Sequence, residues 1–509
     1  MALASLSNED SSRIEAALFS WAVQTPDKAA IADGARSLTF AELAAAAMSF
    51  ASGLVRAGVR PGDRVAVYLD KSIDAVIAFH GIWSAGAVVV PVHHSLKSAQ
   101  VQRILRDSGS VIIVCEAARL GALDPGSLGE ATPVEANHLM QTPASDRHPD
   151  LPGGRQTPAL ILYTSGSTGH AKGILISHAN LVAGARIVAE ALAITADDRI
   201  LSVLPFSFDY GLNQLLTTVR QGATLVLQRS PHPSDICQTM KDERITGLAG
   251  VPLFWTQLMQ RQSPFASMTF PSLRFITNSG GAFPLPLLAR YRQVFPAIRV
   301  FLMYGLTEAF RSAILPAEEV DLFPDSMGKP IAETELLVIN EAGQLCAAGE
   351  IGQLVHSGPT VAMGYWNDPQ TTAAVFRPHP FNPHSPHRAV YSGDLVRRDA
   401  GGRLFFIGRN DQMMKNHGFR VSPDEIEEIV HRSGLVAEVV ARLEPDNAQG
   451  TQLVIDVVPI GAGAFDIKPL VAFCRREMPR YMIPNQVYVH EYMPRTPSGK
   501  VDRAGLSAR

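Results

Sequence analysis

The amino-acid sequence predicts an α/β protein. A large N-terminal domain, built of two αβ subdomains plus a β-rich subdomain, is followed by a small α+β C-terminal domain. Three observations predict this. Short apolar runs alternate with helix-length segments over residues 64–114 and again over 181–242, the rhythm of mostly parallel sheets covered on both faces. Residues 330–410 carry more Gly/Pro turns and alternating β segments, such as Glu335–Asn340 and Gly352–His356. Beyond Asp411 the patterning changes again, so the domains are expected at 1–410 and 411–509.

Taken in order, residues 14–23 form an amphipathic helix and 41–58 a second one. Thr39 and Glu42 have the spacing of a capping box. Strand Arg64–Leu69, helix Ser72–Ala85, strand Ala87–Val92, helix Ser98–Ser108 and strand Val111–Val114 make the first βαβ series. His93 and His94 read as a loop after their strand, because no third metal ligand lies nearby in sequence. Residues 141–158 are rich in Pro, Gly and charge and form a surface connection. The second series follows: helix Leu181–Leu192, strand Ile200–Leu204, helix Gly211–Arg220, strand Thr224–Leu227 and helix Asp235–Asp242. Residues 377–388, with three histidines and four prolines, read as an extended exposed loop. In the last domain, Ser422-Pro423-Asp424-Glu425 starts a helix, with Ser as N-cap and Pro at the first helical position. Strands Val436–Arg442 and Gln452–Pro459, helix Ile467–Glu477 and strand Gln486–His490 complete it.

The bulk numbers set bounds. At 509 residues the chain exceeds one compact core. Hydrophobic content of 46% and charge of 18% describe an ordinary globular protein. A net charge of −3 argues against a nucleic-acid partner, which calls for a basic surface. The four cysteines, Cys115, Cys237, Cys346 and Cys474, form no C-x-x-C pair and read as buried thiols of a reducing compartment. Met1–Ser12 is polar and carries Glu9 and Asp10, unlike a signal peptide, and no run of 18 apolar residues spans a membrane. A soluble cytoplasmic protein is expected.

The chemistry centres on Thr164, Ser165, Gly166, Ser167, Thr168, Gly169 and Lys172, which follow the apolar run Ala159–Leu162. Glycines let a backbone pass close to a ligand, and clustered N–H and O–H groups donate to anionic oxygens. Lys172 adds a positive charge. The loop is a phosphate cradle, but it is not a Walker A loop, which needs G-x-x-x-x-G-K-[ST]. A plain flexible Gly/Ser loop is the alternative.

The pattern T-S-G-S-T-G-x-x-K-G resembles the signature loop of the adenylate-forming superfamily, which includes acyl-CoA synthetases, amino-acid adenylation domains and firefly-type luciferases. The usual proline before the lysine is replaced by Ala171, behind His170. Further segments match in the family's order, over about residues 13–503. Such enzymes join a carboxylate to AMP from ATP, release pyrophosphate and usually pass the acyl group to a thiol. The resemblance makes 1–410 an AMP-binding adenylation domain and 411–509 a mobile lid hinged at Asp411. It implies ATP, Mg2+ and CoA, or a phosphopantetheinyl carrier protein supplied in trans, as cofactors and partners, with a small carboxylic acid as substrate.

By the same resemblance, Gly280, Gly281 and Ala282 lie along the adenine, where a flat base needs close approach to backbone. Tyr304 stacks on it, Thr307 contacts the α-phosphate and Glu308 binds Mg2+, which prefers hard carboxylate oxygens. Asp394, after a glycine turn, takes both ribose hydroxyls, and Arg409 contacts the ribose side. The segment around Gly364-Tyr365-Trp366 reads as scaffold. Lys500 bridges the substrate carboxylate and the α-phosphate, where repulsion between two anions peaks in the transition state. Lys415 and Gly418 face the thiol. Phe208, Asp209 and Tyr210 stand on the substrate side. Asp209 resembles the residue that holds the ammonium group in amino-acid adenylating members, whereas Tyr210-Gly211-Leu212 looks more like acyl-CoA ligases. For Arg311 two readings stay open: it faces the pocket and meets a second carboxylate or polar substituent, or it pairs with Asp209.

Overall fold

Thr39 Oγ1 accepts from the Glu42 amide at 3.2 Å while Glu42 Oε2 accepts from the Thr39 amide at 2.8 Å. This capping box opens the helix Phe40–Arg56, whose Phe40, Leu43, Ala47, Phe50 and Leu54 recur at helical spacing and are wholly buried. The same logic starts Ile73–Ser84 at Ser72, whose side chain accepts from the Ala75 amide. That second helix is buried almost throughout and packs against the first.

The structure is a computed structural model that describes residues 13–121, 123–143, 154–165, 171–409, 414–416, 419–446, 450–460, 465–494, 501 and 503–507. They fall into two compact units, one within 1–94, 98–163 and 173–408, the other within 95–97, 164–172 and 409–509. The larger unit holds three sheets. A seven-stranded sheet runs, edge to edge, Gly364–Tyr365, Ala171–Ser177, Pro158–Ser165, Val88–Pro91, Arg64–Tyr68, Ser110–Cys115 and Thr132–Glu135. A nine-stranded sheet runs Lys329–Pro330, Ala313–Leu315, Arg299–Tyr304, Phe275–Asn278, Gly247–Gly250, Arg199–Ser202, Thr224–Leu227, Ala29–Asp33 and Arg36–Thr39. The third sheet pairs Glu335–Ile339, Ile351–Ser357 and Ala389–Arg398 antiparallel, with Phe376–Arg377 and Leu404–Arg409 added. The smaller unit carries Val436–Asp446, Gly450–Pro459 and Gln486–Val489 with the helices Pro423–His431 and Ile467–Glu477. Ser422 caps the first of these, accepting from the Glu425 amide.

The two αβ series and the β-rich third sheet stand where the sequence predicts them, and the small domain follows. The sheets borrow strands across those divisions, however. Ala29–Asp33, from the N-terminal segment, lies parallel to Thr224–Leu227 in the nine-stranded sheet. Gly364–Tyr365 pairs with Ile174 and Leu175 at the edge of the seven-stranded one. Pairing at such sequence separation leaves no local signature.

The loop 377–388 needs a correction. Most of it is exposed, but His379 is buried. Its Nε2 meets Glu335 Oε2 at 2.8 Å, and its Nδ1 accepts from the amides of Phe381 and Asn382. One histidine thus pins a proline-rich segment that otherwise lies in solvent. All four cysteines are buried and unbridged. No described helix is long and apolar enough to cross a membrane.

Candidate active site

Parallel strands deliver their C-terminal ends to one edge of a sheet, where α/β proteins place ligands. In the nine-stranded sheet, Arg199–Ser202, Gly247–Gly250, Phe275–Asn278 and Arg299–Tyr304 run parallel. The segments that leave them carry the sequence-predicted residues: Phe208, Asp209 and Tyr210 after the first, Gly280, Gly281 and Ala282 after the third, Thr307 and Glu308 after the fourth.

Tyr304 ends its strand 7% exposed, and its hydroxyl donates to Asp394 Oδ2. The two residues predicted for adenine and ribose are therefore bonded to each other. Asp394 does not follow a turn, as the sequence suggests. It lies within the strand Ala389–Arg398, at a bulge where Gln353 faces Leu395 but Val355 faces Tyr391. The extra residues of a bulge bend the strand and re-aim a side chain. Gly393, at φ +74°, supplies the left-handed backbone the bulge requires. Ser392 fixes the geometry, donating to Leu354 O at 2.7 Å and accepting from the Asp394 amide at 3.1 Å.

Thr307 and Glu308 stand on a single turn of 3-10 helix, Thr307–Ala309. Glu308 is 3% exposed, and its Oε1 accepts from Tyr365 Oη at 2.9 Å. A hard carboxylate, withdrawn from bulk water and oriented by a neutral donor, suits a magnesium ion. Tyr365 is the partner that sequence reasoning missed, because the segment around it reads as scaffold. Next in chain, Phe310 takes φ +55°, a backbone conformation that non-glycine residues hold at a cost and that gathers at functional sites.

Arg311 follows and is 1% exposed. Its Nη1 donates to Ser279 Oγ at 2.9 Å, and its guanidinium lies 4.8 Å from the centre of the Tyr210 ring. Burial holds its pKa below the ordinary guanidinium value, with Asp209 and Tyr210 acting in opposition. Of the two readings open for Arg311, the paired one is incomplete: Asp209 acts on its charge, yet Nε and Nη2 have no hydrogen-bond partner among the described residues. Tyr210 Oη is bonded to Thr277 Oγ1. Asp209 and Tyr210 open the buried helix Asp209–Arg220. That helix start sits hard against the chain before it, since a Cβ on Gly211 would lie 2.1 Å from the Pro205 carbonyl oxygen.

Ahead of the loop predicted to cradle phosphates, Tyr163 Oη donates to Asp107 Oδ2 at 2.5 Å. Trp366 Nε1 and Asn367 Nδ2 both donate to the Asp107 carbonyl at 3.0 Å. These contacts fasten the strand that leads into Thr164 and Ser165. Lys172 lies in the returning strand, Ala171–Ser177. Gly166, Ser167, Thr168, Gly169, Asp411, Gly418 and Lys500 lie outside the described residues, and Ser165, Arg409 and Lys415 are described by backbone alone.

Comparison with known proteins supplies the context for this arrangement. The model of the AMP-binding enzyme family matches residues 18–366, and that of the AMP-binding enzyme C-terminal domain matches 425–500. A linear gramicidin synthase protein of Brevibacillus parabrevis is 31% identical over 489 residues, covering 95% of this chain and 6% of that protein. The chain spans less than a tenth of the length of this and the other gramicidin and tyrocidine synthase proteins it matches. Feruloyl-CoA synthase of Amycolatopsis sp. is 31% identical over 500 residues, covering 97% of this chain and 99% of that one. Among solved structures, o-succinylbenzoate CoA synthetase from Bacillus subtilis, bound with a product analogue, is 26% identical with a TM-score of 0.85 and coverage of 97% and 98%. The same enzyme in complex with ATP and magnesium ion is 27% identical, with a TM-score of 0.71 and coverage of 96% and 98%.

Proposed function

Because the chain belongs to the AMP-binding, adenylate-forming enzyme family, we propose that it activates a small carboxylic acid with ATP and transfers the acyl group to the thiol of CoA. The observation that carries this reading is the pairing of Tyr304 with Asp394 by a buried hydrogen bond and of Tyr365 with Glu308 by a partly buried one. It gathers, beside one sheet edge, the residue types that a nucleotide and its metal need. A CoA synthase that aligns over nearly the whole of both chains supports CoA as the acceptor.

In the first half-reaction a carboxylate oxygen attacks the α-phosphorus of ATP, the bond to the bridging oxygen breaks and pyrophosphate leaves. The loop Thr164–Gly169 and Lys172 cradle the phosphates, and the Thr307 hydroxyl donates to the α-phosphate. Gly280, Gly281 and Ala282 lie along the adenine with Tyr304. Asp394 accepts from the ribose hydroxyls; a carboxylate has acceptor capacity for them besides the Tyr304 bond. Arg409 serves the ribose side. Glu308, steadied by Tyr365, would hold the magnesium ion. When bound, such an ion neutralises charge on phosphate oxygens. Lys500 offsets the repulsion between the two reacting anions, which is greatest in the transition state.

In the second half-reaction the thiol attacks the acyl carbonyl, AMP leaves, and the thioester remains. Residues 411–509 act here as a lid hinged at Asp411, with Lys415 and Gly418 on the thiol side. One site can run two chemistries by exchanging the groups a lid presents.

A second reading has its own observation. Asp209 is 7% exposed at the start of its helix, where a carboxylate would meet an ammonium group, and gramicidin and tyrocidine synthases are among the relatives. On that reading the enzyme loads an amino acid onto a phosphopantetheinyl carrier protein.

Thioester formation from MgATP and an accepted acid, assayed in parallel with CoA and with such a carrier protein, separates the two. Acyl-CoA from simple acids, with Asp209→Ala still active, is expected. Thioester on the carrier alone, from amino acids and lost in Asp209→Ala, would establish the second reading instead.

A further inference from the structure

We propose that the acid activated by this enzyme carries a second carboxylate, received by Arg311 with Asn213, so that its preferred substrates are dicarboxylic acids. This rests on the adenylation reading and adds a substrate class to it. Arg311 is among the largest wholly buried side chains of the protein. Taking such a cation out of water costs several kcal/mol, and each donor left without an acceptor adds to that.

The pattern of satisfied and unsatisfied atoms is specific. Nη1 is satisfied by Ser279 Oγ, and the face of the guanidinium is covered by Tyr210. The two nitrogens without a partner among the described residues are Nε and Nη2. Together these form one edge of the guanidinium, two parallel N–H bonds spaced to take both oxygens of one carboxylate.

A second orphan donor lies on the adjoining helix. Asn213 is three residues after Tyr210 and four after Asp209, hence on the same helix face. It is 4% exposed, and its Nδ2 has no hydrogen-bond partner among the described residues. Every unsatisfied nitrogen here is a donor. An aliphatic tail would leave these three donors unpaired, whereas a carboxylate consists of acceptors alone and can satisfy them. The acceptors Gln214 Oε1 and Asn278 Oδ1, without a partner among the described residues, are left to donors elsewhere on the substrate.

The backbone holds the arginine at this place. Phe310 keeps its left-handed conformation directly before Arg311. Thr360 Oγ1 donates to the Arg311 carbonyl at 3.4 Å, and His356 Nδ1 lies 2.7 Å from Ser312 Oγ. The arginine is thus braced from behind while one edge of its guanidinium has no hydrogen-bond partner among the described residues.

The test measures acid-dependent pyrophosphate release by the full chain, with CoA present, for chain-length-matched pairs of aliphatic and aryl acids. Each pair is a monocarboxylic acid and the same skeleton ending in a second carboxylate. A site built around buried donors rejects the analogue that lacks the acceptor, so the best diacid should exceed its partner in kcat/KM by about 10²-fold or more. In Arg311→Met the preference should collapse, with the diacid's KM rising. Arg311→Lys keeps the charge without the fork, should give an intermediate preference, and serves if the methionine variant does not fold. Equal turnover of both members of every pair, or a preference untouched by either substitution, would overturn the inference and leave adenylation standing. Pyrophosphate release that depends on no acid at all would overturn the adenylation reading, and the inference with it.

Discussion

Glu308 and Tyr365 meet at 2.9 Å although 57 residues separate them. Glu308 is nameable from its motif; Tyr365 is not, because its partner is set by where the Gly364–Tyr365 strand pairs with Ile174 and Leu175. The same holds for Arg311. Its position beside Glu308 marks it, but which of its nitrogens find acceptors depends on Ser279 and Tyr210, two segments away. Motif residues are legible one by one, and the hydrogen bonds that orient them are not. Tyr365→Phe removes a hydroxyl and little volume, so folding should survive. The lost bond to a charged group, about 1.5–3 kcal/mol, should lower kcat/KM for ATP–pyrophosphate exchange about 10-fold or more and raise the magnesium concentration needed for half-maximal rate. An unchanged magnesium dependence would remove Tyr365 from the metal's support.

The helix Asp209–Arg220 shows how an element carries site geometry. Its N-terminus presents Asp209 and Tyr210 only because Gly211 lets it approach the Pro205 carbonyl. Gly211→Ala forces a methyl group onto backbone that cannot yield cheaply. Urea unfolding should show a loss of about 2–3 kcal/mol, and the full chain should bind its acid substrate more weakly; unchanged stability would mean that the helix start is free to shift. The strand Ile351–Ser357 carries a second consequence. His356 is fully buried there, and burial depresses its pKa to about 3. Between that value and the ordinary imidazole range the unfolded chain binds a proton that the folded one does not, so stability rises with pH across this interval. It is fully present above about pH 6.5 and is lost as pH falls, by up to about 1.4 kcal/mol per pH unit from this group. His356→Gln should flatten that slope in unfolding experiments between about pH 6 and 4, and an identical slope would show that the imidazole is protonated where it lies. The strand itself is legible from alternation in sequence. The bulge opposite it, which aims Asp394, is not, because a bulge is a mismatch between two strands and neither one encodes it alone.

At the scale of the whole molecule, the order of elements could be read almost throughout, because helices and strands declare themselves through local periodicity. The assembly of strands into sheets could not: Ala29–Asp33 and Gly364–Tyr365 join sheets far from their neighbours in sequence. The chain belongs to the AMP-binding enzyme family, and the proposed reaction assigns its two domains to successive steps. If the C-terminal lid supplies Lys500 to the first step alone, Lys500→Ala should lose adenylation by at least about 10²-fold. It should still convert supplied acyl-adenylate and CoA to thioester, as followed by AMP release. Equal loss of both steps would mean that the lysine serves the fold. Acid-dependent adenylation is the step on which all the others depend, and it is read by ATP–pyrophosphate exchange without any thiol, run over monocarboxylic, dicarboxylic, aryl and amino acids. Exchange should require an acid and magnesium and be strongest with a dicarboxylic acid. Exchange indifferent to the acid, or none with any of the four classes, would contradict the proposed adenylation.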